Sequence, residues 1–188
     1  MPPRHWKTFI IWEIFPAWVL WNDSTEEIVN SAYSVKLAKT SAWKSLNIVL
    51  NPKFKNIFPD FVIDKTKQAK WDWWVISENW INWWYYAVWI KWALTWLWYT
   101  IGIIDDPTKN RKEAESIQTQ EDIKDWFTSV FMTRQQQIKQ DVSWSWKWVR
   151  IIIVMTRWHT DDLTWFIEEN EKEWWDKYKK LGIIEKEV

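Results

Sequence analysis

Three short polar clusters in the chain carry residue types suited to phosphate chemistry. The first, PPRHWKT (residues 2–8), contains Lys7 and Thr8, the pair through which a phosphate-binding loop contacts the β- and γ-phosphates and Mg²⁺. Such a loop needs a small residue before the lysine, because backbone amides must close around the phosphates. Trp6 stands at that position, and its indole would fill the pocket. The loop therefore fits at two positions and fails at the third.

The second cluster is IGIIDDP (residues 101–107), an apolar run that ends in adjacent carboxylates. This is the Walker B arrangement. Asp105 would hold Mg²⁺ through water, and Asp106 would orient the water that attacks the γ-phosphate. A strand that ends in Asp-Asp-Pro is more often only a solvated turn, so this interpretation depends on the Lys-Thr pair near the N-terminus.

The third cluster is IIIVMTRWHTDDL (residues 151–163), in which an apolar run ends in Thr156, Arg157 and His159. We expect these side chains at the carboxyl edge of a sheet, where ligands bind in open α/β folds. His159 could ligate a metal together with Asp161 or Asp162. The chain has only two histidines and no cysteine, however, and no ligand spacing repeats, so we do not predict a metal-binding histidine.

The elements that must position these clusters follow from hydrophobic periodicity. We predict helices over residues 7–20, 35–50 and about 110–134, and strands over residues 27–34, 85–90, 99–105 and 149–156. Pro16 should end or kink the first helix. The run 149–156 is rich in β-branched residues, as in strands buried on both faces of a parallel sheet. Strands alternating with helices predict an α/β fold with a mostly parallel sheet.

The composition excludes some classes of protein and leaves one feature to explain. Lys plus Arg and Asp plus Glu both number 25, so a DNA contact would need a local basic patch. The absence of Cys excludes a disulfide framework and fits a reducing compartment. The N-terminal residues have no apolar region of the kind found in signal peptides. There are 2 Gly and 23 Trp, whereas average usage predicts roughly 13 Gly.

The three clusters and several other blocks together resemble the ATPase domain of the large subunit of tailed-bacteriophage terminases, the motor that packages DNA into capsids. The additional blocks are FPAW, AYSVKLA, YYAVxIxxALTxLxYTIGIIDDPTKNRKEAES, DWFTSVFMTR and RIIIVMTRWHTDDLT. They follow one another in the family's order from residue 1 to residue 167. The resemblance implies a RecA-like P-loop fold, with a mostly parallel sheet flanked by helices and incomplete at the N-terminus.

The resemblance also implies roles for the residues of the three clusters. The nucleotide-binding loop would comprise His5, Trp6, Lys7 and Thr8, with ATP as the nucleotide and Thr8 on Mg²⁺. Asp105 would coordinate Mg²⁺, and the catalytic groups would be Asp106 and Arg4, the arginine contacting the γ-phosphate in cis. The segment that couples hydrolysis to DNA movement would contain Thr156, Arg157 and His159. The family usually has Glu after the Walker B Asp, so Asp106 is a shorter carboxylate than its counterpart.

Partners and location follow from the same resemblance. It implies double-stranded DNA, a portal protein, a small terminase subunit and further copies of the chain in a ring on the portal. The protein would act in the host cytoplasm and transiently at the procapsid, without a membrane. We further expect residues 1–188 to be part of the ATPase domain only, without the nuclease domain of such subunits.

Tryptophan stands at eight positions where the family has glycine: Trp6, Trp83, Trp84, Trp89, Trp92, Trp96, Trp98 and Trp165. At three other positions the family also has tryptophan: Trp18, Trp126 and Trp158. A gene in which UGA encodes glycine, translated with a table in which UGA encodes tryptophan, would produce this one-directional pattern. Gly102 and Gly182 would then use ordinary glycine codons. We hypothesise that most of the tryptophans are glycine in the natural protein, and that the chain as printed is inactive; the rival explanation is design or corruption of the sequence.

Two other functions remain open if the tryptophans are real. Residues 83–104 are apolar apart from Lys91 and long enough to span a bilayer, although a mid-membrane lysine argues against this. Alternatively the aromatic rings could stack on nucleic-acid bases, although this stretch has a single cation. Either interpretation makes the chain a non-enzymatic membrane-associated or nucleic-acid-binding protein. A helicase of the same P-loop superfamily is a third possibility, against which the TRWHTDDL block argues.

Overall fold

The computed structural model describes residues 7, 9–23, 25–68, 72–76, 82–135, 138–139, 146–147 and 149–180. The predicted loop residues Arg4, His5, Trp6 and Thr8 lie outside the described residues, as does Gly182. The strands are β1 (Ile28–Ala32), β2 (Val62–Gln68), β3 (Asp72–Ile76), β4 (Asn82–Trp89), β5 (Ile101–Asp105), β6 (Ile138–Lys139), β7 (Trp146–Lys147) and β8 (Arg150–Val154). The α-helices are α1 (Phe15–Asn22), α2 (Val35–Leu50), α3 (Pro52–Ile57), α4 (Arg111–Ala114), α5 (Ile117–Trp126) and α6 (Leu163–Lys180).

A six-stranded sheet in the order β2-β3-β4-β1-β5-β8 forms the centre of the fold. Strands β4, β1, β5 and β8 run parallel to one another, while β3 pairs antiparallel with β4 and β2 antiparallel with β3. The predicted α/β fold with a mostly parallel sheet is therefore confirmed. Strands β1 and β5 are buried at every position because helices cover both faces of the central sheet.

The strand register brings the predicted chemical residues to one edge of the sheet. Ala32, the last residue of β1, pairs with Asp105, the last residue of β5, and Asp105 in turn pairs with Val154 at the end of β8. Because parallel strands end at the same edge, the Asp105–Asp106 turn lies next to residues 155 and 156.

Strand β8 differs from its prediction. Arg150 is exposed and residues 151–154 are only partly buried, not buried on both faces. In the described part of the chain β8 pairs with β5 alone, so it is an edge strand of the sheet. A β-branched run predicts a strand but does not distinguish a central strand from an edge strand.

The first predicted helix forms, but Pro16 does not end it. Residues Phe9–Ile14 form a π-helix that continues directly into α1, which ends at Asn22. Pro16 lies in the first turn of α1, where its missing N–H is least costly. The proline therefore marks the start of the regular α-helix.

The helix predicted over residues 110–134 is divided into shorter pieces. Helix α4 ends at Ala114, and the Ser116 hydroxyl then accepts a 3.4 Å hydrogen bond from the Thr119 N–H to cap α5. A serine that bonds the backbone in this way favours a new helix start over continuation. After α5 the chain forms a π-helix at Phe127–Phe131 and a 3₁₀ turn at Met132–Arg134. The π-helix buries the side chains of both Phe127 and Phe131.

Two apolar clusters lie on the two faces of the sheet. In one cluster the π-helix Phe9–Ile14, α1 and α2 pack on the sheet, and it includes Trp12, Leu20 and Leu46. The other is formed with α5 and the residues after it and includes Trp126, Phe127 and Phe131. Gly102 lies under the second cluster, where an added Cβ would be 2.5 Å from Cζ of Phe131 and 2.7 Å from Cε2 of Tyr99. A glycine is required at this position because an aromatic ring lies against its backbone.

The apolar segment 83–104 forms most of β4, a connecting turn and most of β5. It is thus part of the sheet and not a helix. Among the described residues, no helix has the length and apolar character needed to cross a bilayer.

Candidate functional site

Lys7 lies at the carboxyl edge of the sheet and contacts both other clusters. Its Nζ donates hydrogen bonds to Oγ1 of Thr156 at 3.0 Å and to Oδ1 of Asp106 at 3.3 Å. The Lys7 side chain is 10% exposed and that of Asp106 is 33% exposed, so the ion pair is partly shielded from water. The structure thus joins one residue from each of the three sequence clusters.

Asp106 has an unusual backbone conformation that fixes its carboxylate. Its φ is 41°, in the left-handed region, where Asp is one of the better-tolerated residues. Its N–H donates to the Val154 carbonyl at 2.8 Å, and its Oδ1 accepts the Thr156 N–H at 3.1 Å. Backbone strain of this kind is retained where the surroundings hold it, often at functional sites. The turn after β5 is therefore bonded to the turn after β8 through Asp106.

Asp105 is fully buried and lies on a different face of the sheet from Ile104. Its alternation along β5 places it with Ile101 and Ile103, on the face covered by the helix that follows Lys7. A carboxylate is a suitable ligand for Mg²⁺, which prefers oxygen donors. Asp105 is therefore a carboxylate of the chemical type that binds Mg²⁺, while Asp106 is the carboxylate that contacts Lys7.

Arg157 and His159 bond within their own segment. Arg157 Nε donates to Oδ2 of Asp162 at 3.1 Å. His159 Nδ1 accepts the N–H of Asp161 at 3.0 Å. Of the three residues predicted to couple hydrolysis to DNA movement, Thr156 meets Lys7, and the other two shape the turn that leads to α6.

Lys124, Asp161 and Asp162 organise this segment through contacts that the sequence did not predict. Lys124 Nζ lies 2.5 Å from Oδ1 of Asp161, and Asp162 Oδ1 accepts the N–H of Trp165 at 3.0 Å. The Asp162 contact is a helix N-cap and could have been recognised from an aspartate just before an apolar helical run. Lys124 gave no such signal, because a lysine within an amphipathic helix is ordinarily a solvated residue.

A second carboxylate cluster lies at the opposite, amino edge of the sheet. Glu26 is buried and bonded to Arg150 and to the Thr100 hydroxyl, linking the starts of β1, β5 and β8. Burial raises the pKa of its neighbour Glu27 to about 7, opposed by a hydrogen bond from the Trp84 indole. We assign this cluster a structural role because it lies at the edge away from Lys7.

The tryptophans at family glycine positions have no common environment. Trp84 is buried, while Trp96 is 90% exposed. Trp89 and Trp92 stack with ring centroids 5.1 Å apart and line a cavity of about 190 Å³ next to α2. Among the described non-glycine residues, only Lys91 and Asp106 have positive φ. None of the described tryptophans thus has a backbone conformation reserved for glycine, and the recoding hypothesis depends on the resemblance alone.

Among the comparisons with known proteins, only the comparison of structures gives a match. No family model matches the chain, and no curated protein matches it. The structure is similar to the crystal structure of the HK97 bacteriophage large terminase, with a TM-score of 0.41 and 18% sequence identity. The match covers 79% of this chain and 26% of that structure, so the chain spans about a quarter of its length.

Proposed function

We propose that this chain is the ATPase domain of a motor that packages double-stranded viral DNA into a capsid. The observation that carries the proposal is the meeting of Lys7, Asp106 and Thr156 at the carboxyl edge of a parallel sheet. A lysine before a helix, a carboxylate after one strand and a threonine after the next are the parts that bind and hydrolyse a triphosphate.

The proposed chemistry starts from the ion pair between Lys7 and Asp106. The γ-phosphate of ATP competes for the Lys7 ammonium, because it carries more negative charge than one carboxylate. Asp106 is then free to accept a hydrogen bond from the attacking water and to orient it in line with the leaving oxygen. Thr156 holds both partners, since its hydroxyl bonds Lys7 and its N–H bonds Asp106.

The proposal also assigns roles in Mg²⁺ and phosphate binding to residues other than Lys7, Asp106 and Thr156. Asp105 and Thr8 would hold Mg²⁺, which neutralises charge on the β- and γ-phosphate oxygens when bound. Arg4 would contact the γ-phosphate, and His5 would belong to the loop around it. Arg4, His5 and Thr8 are neighbours of Lys7 in the sequence.

The proposal includes a glycine at position 6 in the natural protein. An indole at this position would occupy the space that the phosphates need, and would overpack the loop. We therefore expect the chain as printed to hydrolyse ATP poorly. We expect activity from a variant with glycine at the eight family glycine positions, called here the eight-glycine variant.

Coupling to DNA completes the proposed function. Thr156 lies in the segment that links the site to α6, together with Arg157 and His159. A change at the γ-phosphate would thus be passed to this segment and to a DNA-contacting surface. The proposed partners are double-stranded DNA, a portal protein, a small terminase subunit and further copies in a ring, in the host cytoplasm and at the procapsid.

Equilibrium dialysis with radiolabelled ATP and Mg²⁺ tests the nucleotide site. In the eight-glycine variant, Lys7→Ala should weaken ATP binding by roughly tenfold or more, because an ion pair with the phosphates is lost. Lys112→Ala, at an exposed position of α4, is the control and should bind ATP normally. Equal affinity in the Lys7 and Lys112 variants would contradict the assignment.

One observation favours a second, non-enzymatic function. Trp96 is 90% exposed, and nearby Trp98 has the Arg134 guanidinium 5.4 Å from its ring centroid. Exposed rings beside an arginine can stack on bases of single-stranded nucleic acid. Fluorescence anisotropy with a labelled oligonucleotide tests this function. ATP-independent binding that Trp96→Ala removes would support it, and no binding by the chain as printed would exclude it.

A further inference from the structure

We infer that Lys124 is a positioning residue for the proposed site. It fixes residues 155–162, called here the linking segment, so that Thr156 lies against Lys7 and Asp106. The catalytic consequence rests on the proposed function, whereas the positioning itself does not. Lys124 lies on α5, outside every sequence cluster that predicted the site.

The ammonium group of Lys124 has several close partners and little exposure to solvent. Its Nζ is 2.5 Å from Oδ1 of Asp161, and its side chain is only 17% exposed. The same Nζ lies 5.8 Å from the ring centroid of Trp165 and 5.7 Å from that of Phe166, within the range of cation–π attraction. The linking segment and the first turn of α6 thus enclose this ammonium together.

A second ion pair that involves α5, between Lys91 and Asp122, is more exposed to solvent. Lys91 Nζ is 2.6 Å from Oδ2 of Asp122, but these side chains are 48% and 37% exposed. Solvent screens such a pair, and its contribution to stability is small. The pair of Lys124 and Asp161 is less hydrated on the lysine side, so its attraction is screened less.

Bonds within the linking segment extend this attachment to Thr156. Asp161 donates its N–H to His159, and Asp162 accepts from Arg157, which directly follows Thr156. At the start of the segment, Met155 Sδ accepts a 3.0 Å hydrogen bond from the Thr164 hydroxyl. The segment is therefore a short bonded turn between β8 and α6, and Lys124 attaches that turn to α5.

Loss of the Lys124 ammonium should release this turn. Asp161 would then lose its partly buried cationic partner, and the linking segment could shift relative to α5. Thr156 would shift with it, and its 3.0 Å contact with Lys7 would lengthen. A misplacement of about 1 Å can cost a hundredfold in rate, so even a partial shift should be measurable.

The test compares Lys124→Gln with Lys91→Gln, which removes the exposed ion pair on the same helix. The first readout is the methyl NMR spectrum of the chain as printed, labelled with ¹³C-methyl methionine. The chain has three methionines, and Met155 is assigned by Met155→Leu. We expect the Met155 signal to move in Lys124→Gln, to stay in Lys91→Gln, and to return towards its original position in Lys124→Arg.

The second readout is ATP hydrolysis in the eight-glycine variant, in which Trp165 is replaced but Lys124 keeps Asp161 and Phe166 as partners. We expect kcat to fall by roughly tenfold in Lys124→Gln, with a smaller change in KM, because Thr156 is misplaced while the phosphate loop remains. Lys91→Gln should leave kcat unchanged. If Lys124→Gln does not fold by circular dichroism, Asp161→Asn removes the other half of the pair and serves in its place.

The outcomes separate the inference from the proposed function. A Met155 signal that does not move in Lys124→Gln overturns the inference, whatever the rate of hydrolysis. An equal fall in kcat for the Lys91 and Lys124 variants also overturns it, because the effect would then be general. If the eight-glycine variant hydrolyses no ATP at all, the proposed function fails, and the Met155 signal still decides the positioning role.

Discussion

Lys7 and Asp106 are 99 positions apart in the sequence and form an ion pair of 3.3 Å. The helix after Lys7 packs on the face of the sheet to which Asp105 belongs. Strands β5 and β8 are adjacent and parallel, so the turns after them lie side by side. Thr156 bonds to both residues. The ion pair therefore locates the proposed phosphate site at one point on the sheet edge.

Asp106→Asn in the eight-glycine variant should lower kcat by roughly a hundredfold or more, because a general base is lost. Asparagine is also enriched in the left-handed region, so the backbone at φ 41° should be kept. ATP affinity should stay the same or increase, since Lys7 loses a competing anion. Steady-state hydrolysis and equilibrium dialysis measure the two effects, and an unchanged kcat would remove Asp106 from the mechanism.

Thr156→Val and Thr156→Ser form a matched pair at the second contact of Lys7. Valine has nearly the same shape but lacks the hydroxyl that accepts the 3.0 Å hydrogen bond. We expect the valine variant to lose roughly tenfold in kcat, from a contact to a charged group worth about 1.5–3 kcal/mol. Serine keeps the hydroxyl and should retain most of the activity. Equal rates in the two variants would show that the hydroxyl does not contribute.

Gly102→Ala should destabilise the fold by about 1–3 kcal/mol, the usual cost of overpacking a core. The added methyl would meet the Phe131 ring at 2.5 Å. Urea denaturation measures the free energy of unfolding. Phe131→Leu removes the ring atoms concerned, so the double variant should be more stable than the sum of the two single changes predicts. Strict additivity would contradict the close contact.

Glu27 should make stability depend on pH. Its pKa is raised from 4.5 to about 7 by burial, so the folded protein binds a proton that the unfolded chain has released. Stability should therefore fall as pH rises from about 4.5 to 7 and level off above that range. Glu27→Gln removes this dependence, so its gain in Tm over the parent should be larger at about pH 8 than at about pH 5. An equal gain at both pH values would argue against a raised pKa.

The recoding hypothesis predicts the mass of one peptide. Trypsin should release residues 71–91 from protein of the native source, and this peptide carries seven tryptophans in the printed sequence. Recoding predicts a mass lower by one Trp-to-Gly difference at each recoded position. A mass matching seven tryptophans would argue against recoding, and it would favour the non-enzymatic alternative.

The sequence predicted the parts of the fold that depend on local pattern. Helix α2 occupies the predicted residues 35–50. Strands β1 and β5 lie within their predicted ranges, and β4 overlaps its range but begins three residues earlier. The sequence also placed Asp105, Asp106 and Thr156 at the ends of strands, whereas the contacts of Lys7 with Asp106 and Thr156 are seen only in the structure. These predictions succeeded because hydrophobic periodicity and strand ends are encoded by neighbouring residues.

The failures concern relationships between distant residues. The edge position of β8 depends on which strands pair, and a β-branched run does not encode that. The break at Ser116 depends on one hydroxyl bonding the backbone instead of solvent. Lys124 looked like a surface lysine because its partner Asp161 is 37 positions away. Each of these features is decided by tertiary packing.

The most direct test of the account is the rate of phosphate release from ATP in four chains. These are the chain as printed and the eight-glycine variant, each with Lys7 kept or replaced by the Lys7→Ala substitution. We expect Mg²⁺-dependent turnover only in the eight-glycine variant that keeps Lys7. Turnover that persists after Lys7→Ala, or its absence from a folded eight-glycine variant that retains Lys7, would contradict the central claim.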